Sequence, residues 1–130
     1  MKATGNIDRV RKLYAAYNAR DWAAARGLMA SDVEWFSAAR GERVLGPEGV
    51  LALLRSSADS FPDARIEVRA LHEAGAHVIA ECAFARESGD RGNPATFCEV
   101  SCFVDGKLVR GTTYADTLQI LLELDCKSAA

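Results

Sequence analysis

A chain of 130 residues, 49% hydrophobic and 26% charged, is long enough to bury a core of its own and too apolar to be a disordered polymer. With 16 Lys and Arg against 18 Asp and Glu, the net charge of -2 leaves no basic footprint for nucleic acid. The opening MKATGNIDRV lacks the apolar run of a signal peptide, and nothing approaches the roughly 20 apolar residues of a membrane span, so a single cytoplasmic domain over residues 1–130, with no membrane partner, is expected.

Apolar positions Ile7, Val10, Leu13, Tyr14 and Tyr17 recur at spacings of three and four, which predicts an amphipathic helix over residues 7–20 with Asn6 as N-cap. Asp21 is placed to cap a second short helix whose inward residues are Trp22, Ala25, Leu28 and Met29. The β-branched and aromatic run at 33–37 predicts a first strand, with Trp35 and Ser37 on one side. A loop with Gly41 and Gly46 follows. Pro47 then opens a third helix with Val50, Leu51, Leu54 and Ala58 inward. Alternation predicts strands over 64–71 and 77–87, and the glycines of the 88–93 loop return the chain into a strand over 95–104, with Pro94 at its start. The tail after Asp116 is apolar at Leu118, Leu121, Leu122 and Leu124 and is expected to pack on the domain.

Asp105-Gly106 between two alternating runs is a strong hairpin signal, because both residues of such a turn need positive φ. A turn pairing Val104 with Lys107, extended without interruption, sets Cys102 opposite Val109, Val100 opposite Gly111 and Cys98 opposite Thr113. One face then carries Cys98, Val100, Cys102, Gly111, Thr113 and Ala115, small and uncharged like a pocket wall. The other carries Phe97, Glu99, Phe103 and Tyr114. A one-residue bulge would put Glu99 where this register has Val100.

The cysteines, Cys82, Cys98, Cys102 and Cys126, have no C-x-x-C pair and no histidine at finger spacing, so no metal is expected. Cys98 and Cys102 stand about 13 Å apart along one strand, too far to bond, and all four are read as reduced thiols.

The order helix, helix, strand, helix and four long strands, with YNARDWAAARGLMASDVEW, GPEGV, FPDARIEV and VDGKLVRGTTYAD, resembles the SnoaL-like branch of the nuclear-transport-factor-2-like superfamily over Ile7 to about Thr117. The resemblance implies an α+β fold: three N-terminal helices packed on the concave face of a strongly curved, mostly antiparallel sheet, with a pocket between them. It also implies a homodimer through the convex face, where Ile79, Phe97, Phe103 and Tyr114 would otherwise lie bare.

This superfamily hosts isomerases, cyclases, hydrolases and non-catalytic modules, so function has to come from the site. In the ketosteroid-isomerase pattern the base falls at Ser37, the oxyanion tyrosine at Leu13 and the second acid near Val100. In the limonene-epoxide-hydrolase pattern the catalytic positions fall at Cys82, Phe84 and Thr113. No carboxylate stands at any of them, so neither activity is expected.

The ligand-binding candidates are Tyr17, Trp35, Ser37, Val68, Cys82, Phe84, Cys98, Val100, Cys102 and Thr113, with Ala80 and Ala115 beside them. No catalytic residue is assigned. His72 and His77 flank a strand turn that could meet the cavity mouth, and Arg86 with Asp90 borders the next loop. Two readings stay open. One is a pocket for a small apolar, ring-containing molecule, with cofactor-independent isomerisation, cyclisation or hydration by proton transfer. The other is a non-catalytic dimeric binding or assembly module with a vestigial cavity.

Overall fold

The computed structural model describes residues 5–86 and 95–115. Its elements are α1 (Asn6–Ala19), α2 (Trp22–Gly27), β1 (Met29–Ser37), β2 (Glu42–Leu45), α3 (Gly46–Ser60), β3 (Ala64–Ala74), β4 (His77–Arg86), β5 (Ala95–Val104) and β6 (Lys107–Ala115). The 88–93 loop with Asp90, Pro94, the tail leucines, Asp116 and Cys126 lie outside the described residues.

The six strands form one sheet in the order β2-β1-β6-β5-β4-β3, antiparallel except for the parallel pair of β1 and β6. Helix α1 lies over β3 and β4, and α3 over β1 and β2. Val10, Leu13, Tyr14 and Tyr17 of α1 and Val50 and Leu51 of α3 are buried toward the sheet, as their spacing predicts. Each large apolar side chain removed from water in this way contributes roughly 1.5–3 kcal/mol before entropy is counted.

Local chemistry sets most of the boundaries. Arg20 takes the left-handed conformation at φ 57°, stopping α1, and its guanidinium donates to the carbonyls of Pro62 and Ala64, which ties that helix end to the start of β3. Asp21 caps α2 by accepting from the Ala24 N–H at 3.1 Å. Pro47 stands in the first turn of α3, where its missing N–H costs nothing.

The structure corrects several sequence expectations. Gly5 is the N-cap of α1, while Asn6 is already helical and its Oδ1 accepts from Arg9 Nη1 at 2.6 Å. Strand β1 begins at Met29, which the sequence had placed on the second helix, and the glycine loop holds a short edge strand, β2.

The consequential correction concerns the central hairpin. Asp105 and Gly106 have φ of 51° and 76° and pair Val104 with Lys107, as the Asp-Gly signal predicts. Phe103 then pairs with Leu108 but Cys102 pairs with Arg110, so Val109 is an extra residue. The cause is long-range: the Leu108 N–H donates to the Leu28 carbonyl at 2.8 Å, and the Phe103 N–H to that of Ala76 at 3.0 Å. A one-residue slip exchanges the two faces of β5. Phe97, Glu99 and Ser101 therefore turn toward the helices, opposite Ala115, Thr113 and Gly111, and Cys98, Val100 and Cys102 turn away. Phe97 and Phe103, expected on the outer face, belong to the core.

Candidate active site

Between α3 and the helix-facing side of the sheet lies a cavity of about 270 Å³. Its walls are chemically distinct. Helix α3 supplies the aliphatic side chains Val50, Leu53 and Leu54. Facing them is an aromatic wall: Phe61 stacks on Phe84 with ring centres 6.0 Å apart, Phe84 meets Phe97 at 4.8 Å, and Tyr17 lies 6.4 Å from Phe84. Within this apolar lining stand the polar groups of Ser37, Ser57, Thr113 and Glu99.

Strand pairing brings the polar groups together. Trp35 lies beside Gly111 in the parallel ladder, Ser37 beside Thr113, and Thr113 opposite Glu99. Gly111 has no side chain, and a Cβ there would run into the Trp35 ring, so the indole can lie across β6. Its Nε1–H reaches Thr113 Oγ1 at 2.8 Å. Thr113 then donates its single hydroxyl proton to Glu99 Oε2 at 2.7 Å, and Tyr14 on α1 donates to Glu99 Oε1 at 2.8 Å. Each carboxyl oxygen thus has its own donor, and the indole fixes which way the threonine points.

Glu99 is enclosed by protein, and the surface it retains faces the cavity rather than bulk water. Burial pushes its pKa above the ordinary carboxylate value. The hydrogen bonds from Thr113 and Tyr14 pull the other way without cancelling that shift. Tyr14 is raised in turn, first by burial and then by the Glu99 charge, which keeps it a neutral donor. The Cys82 thiol, packed against Tyr14, is pushed up to about 12, chiefly by burial. A thiol held there is no nucleophile at neutral pH. Tyr17 bonds to Ser57 at 3.0 Å, closing off one side of the aromatic wall.

Of the residues singled out from the sequence, Tyr17, Trp35, Ser37, Phe84, Thr113 and Ala115 line this cavity. Val68 instead borders a shallow groove with Arg11, Asn18 and Arg65, because α1 covers its part of β3. Cys82 and Ala80 are core residues beneath α1. Cys98, Val100 and Cys102 are on the far side of the sheet because of the Val109 bulge. His72 bonds to Glu81 at 2.7 Å in an exposed pair, and His77 is exposed beside the turn; neither reaches the cavity. Arg86 sits over the Phe61 ring, 5.6 Å from its centre.

Sequence reasoning reached Glu99 only as the outcome of a one-residue bulge, which the structure contains, and missed its donor Tyr14 and the lining residues Arg40, Ser57 and Phe61. One signal did mark Glu99: it is the only charged residue between Ala95 and Val104, on a strand otherwise built of apolar and small side chains.

Helices packed on one face of a six-stranded mixed sheet are the architecture of nuclear-transport-factor-2-like proteins. Residues 10–111 match the SnoaL-like domain family, and the chain belongs to it. Among solved structures it is similar to an NTF2-like protein of unknown function from Burkholderia xenovorans LB400, at 28% identity over 84% of this chain and 80% of that one, with a TM-score of 0.68. It is also similar to an NTF2-like protein of unknown function from Burkholderia pseudomallei K96243, at 22% identity over 94% and 98%, TM-score 0.78. TerC co-crystallised with polyporic acid is a further relative, at 23% identity over 92% and 98%, TM-score 0.77. A comparison with the curated proteins finds no significant match.

Proposed function

We propose that this SnoaL-like domain binds a small, mostly apolar ring compound and moves a proton on it with Glu99, as an isomerase, cyclase or hydratase whose acid and base come from the chain itself. The observation that carries the proposal is a carboxyl with a raised pKa, held by two donors and open only to an apolar cavity. Such a group holds its proton closer to neutral pH than a surface carboxyl does, and so serves as acid in one step and base in the next. Tyr14 and Thr113 hold it in place and stabilise its anion when the proton leaves. The cavity approaches the lower end of small-molecule pockets, roughly 300 Å³. That size suits one or two rings.

The alternative, a non-catalytic dimeric module with a vestigial cavity, would predict a pocket filled by its own side chains, and the open volume beside Glu99 favours the catalytic reading. We further propose a homodimer through the outer sheet face, supported by Tyr114 at 53% exposed beside the half-buried Ile79, Cys98 and Val100. Sedimentation at tens of micromolar tests it, and a purely monomeric species rejects it.

For the site, ring compounds titrated into a Trp22→Phe background are expected to change Trp35 emission, since Trp35 lines the cavity. Candidate ring substrates are then followed for solvent deuterium uptake with wild type and Glu99→Gln. Deuterium uptake that depends on Glu99 supports the reading, and equal uptake by both proteins rejects it.

A further inference from the structure

Arg40 lies in the turn between β1 and β2, three residues past Ser37, and is exposed while still among the residues that line the cavity. It therefore stands at the mouth. Among the described lining residues it is the only cation, and Glu99 is the only carboxyl. Several other arginines are occupied: Arg26 pairs with Glu48, Arg43 lies over Phe36, Arg55 over Trp22 and Arg86 over Phe61. Arg40 makes no hydrogen bond, ion pair or ring contact with any described residue, and Glu42, opposite Ser37 at the same rim, does not pair with it.

A guanidinium with no partner among the described residues, on a cavity also lined by Phe61 stacked on Phe84 and by Phe97 tilted against Phe84, matches a ligand with two unlike ends. We propose that Arg40 makes the cavity selective for flat ring compounds carrying a carboxylate, with the ring against Phe61, Phe84 and Phe97 and the carboxylate on the Arg40 guanidinium. This rests on the reading above that the cavity holds a ring compound. The planar fork of five N–H donors matches the two oxygens of a carboxylate. Low-dielectric cavity walls on one side of the pair strengthen it relative to one in open water. Burial raises the Glu99 pKa, so this carboxyl opposes a second acid less than a surface carboxylate would.

The test is calorimetric titration of the full chain with 2-naphthoate and with 2-naphthamide, which share a ring system and differ in charge. Wild type is expected to bind the carboxylate about tenfold more tightly than the amide, a preference that shrinks in high salt. Arg40→Gln should lose the preference while its amide affinity stays within about twofold of wild type, and Arg40→Lys should keep only part of the preference. Equal affinity of wild type for the two ligands, or an unchanged preference in Arg40→Gln, overturns the role of Arg40 and leaves the ring pocket standing. Absence of binding by either ligand overturns both.

Discussion

Glu81 and Glu99 are the same residue type on neighbouring strands, one ladder position apart, since Glu81 pairs with Cys98 and Ala80 with Glu99. The pleat sends them to opposite faces. Glu81 lies on the outer face in an exposed pair with His72, where solvent screens the interaction to little or nothing. Glu99 faces the cavity, where burial shifts its titration upward and two side chains from distant parts of the chain donate to it. A carboxylate's role in this sheet is therefore set by the face it occupies, and that face was decided by one extra residue at Val109.

Substitution at the two positions should separate them widely. Glu99→Gln is expected to lower turnover of any substrate by about 10²–10⁴-fold, while Glu81→Gln leaves it unchanged. Steady-state kinetics on a ring substrate that supports deuterium uptake checks both.

The pH dependence of stability distinguishes them next. Because the folded-state pKa of Glu99 lies above its unfolded value near 4.5, the folded protein binds the extra proton between those two values. Stability from this group is full below the unfolded pKa and falls as pH rises through the folded one. Urea denaturation from pH 4 upward should show that fall in wild type and a flatter curve in Glu99→Gln. An identical slope in the two proteins would place Glu99 in solvent.

Gly111→Ala should cost about 1–3 kcal/mol, because its methyl group meets the Trp35 ring and the indole must leave Thr113. Tyr14→Phe should cost about 1–2 kcal/mol by leaving Glu99 Oε1 without its donor, and should raise the Glu99 pKa further, since that hydrogen bond now lowers it. Chemical denaturation reads both costs, and carbon-13 NMR of the labelled carboxyl reads the titration. On the outer face, His72→Gln should stay within about 0.5 kcal/mol of wild type.

Most of the architecture was legible because it is local. Helix spacing, the Asp21 cap, Pro47 and the Asp105-Gly106 turn each act within a few residues, and all appear where expected. The faces of β5 were not legible, because the Val109 bulge answers to the Leu28 carbonyl some eighty residues away. Placing Val100 in the cavity removed the carboxyl from it. The expected lack of ketosteroid-isomerase activity consequently no longer rests on Val100: an acid does face the cavity beside that position, and the expectation now stands on Ser37 and Leu13, where the resemblance puts the base and the oxyanion tyrosine. Strand β2 escaped notice because its four residues follow a glycine turn and its side chains are largely exposed, leaving no apolar alternation to read.

The parallel pairing of β1 with β6 also governs how the protein folds. Trp35 and Thr113 are 78 residues apart in the chain, and Tyr14 and Glu99 are 85 apart. The β3–β4 and β5–β6 hairpins close over short turns, so their entropy of closure is small and they can form early. Joining β1 to β6 means closing a loop that contains α3 and four other strands, and that closure is expected late. Glu99 meets Thr113 when the β5–β6 hairpin forms, but Trp35 reaches that threonine only with this late closure, so partly folded chains hold the carboxyl and hydroxyl together without the indole that orients them.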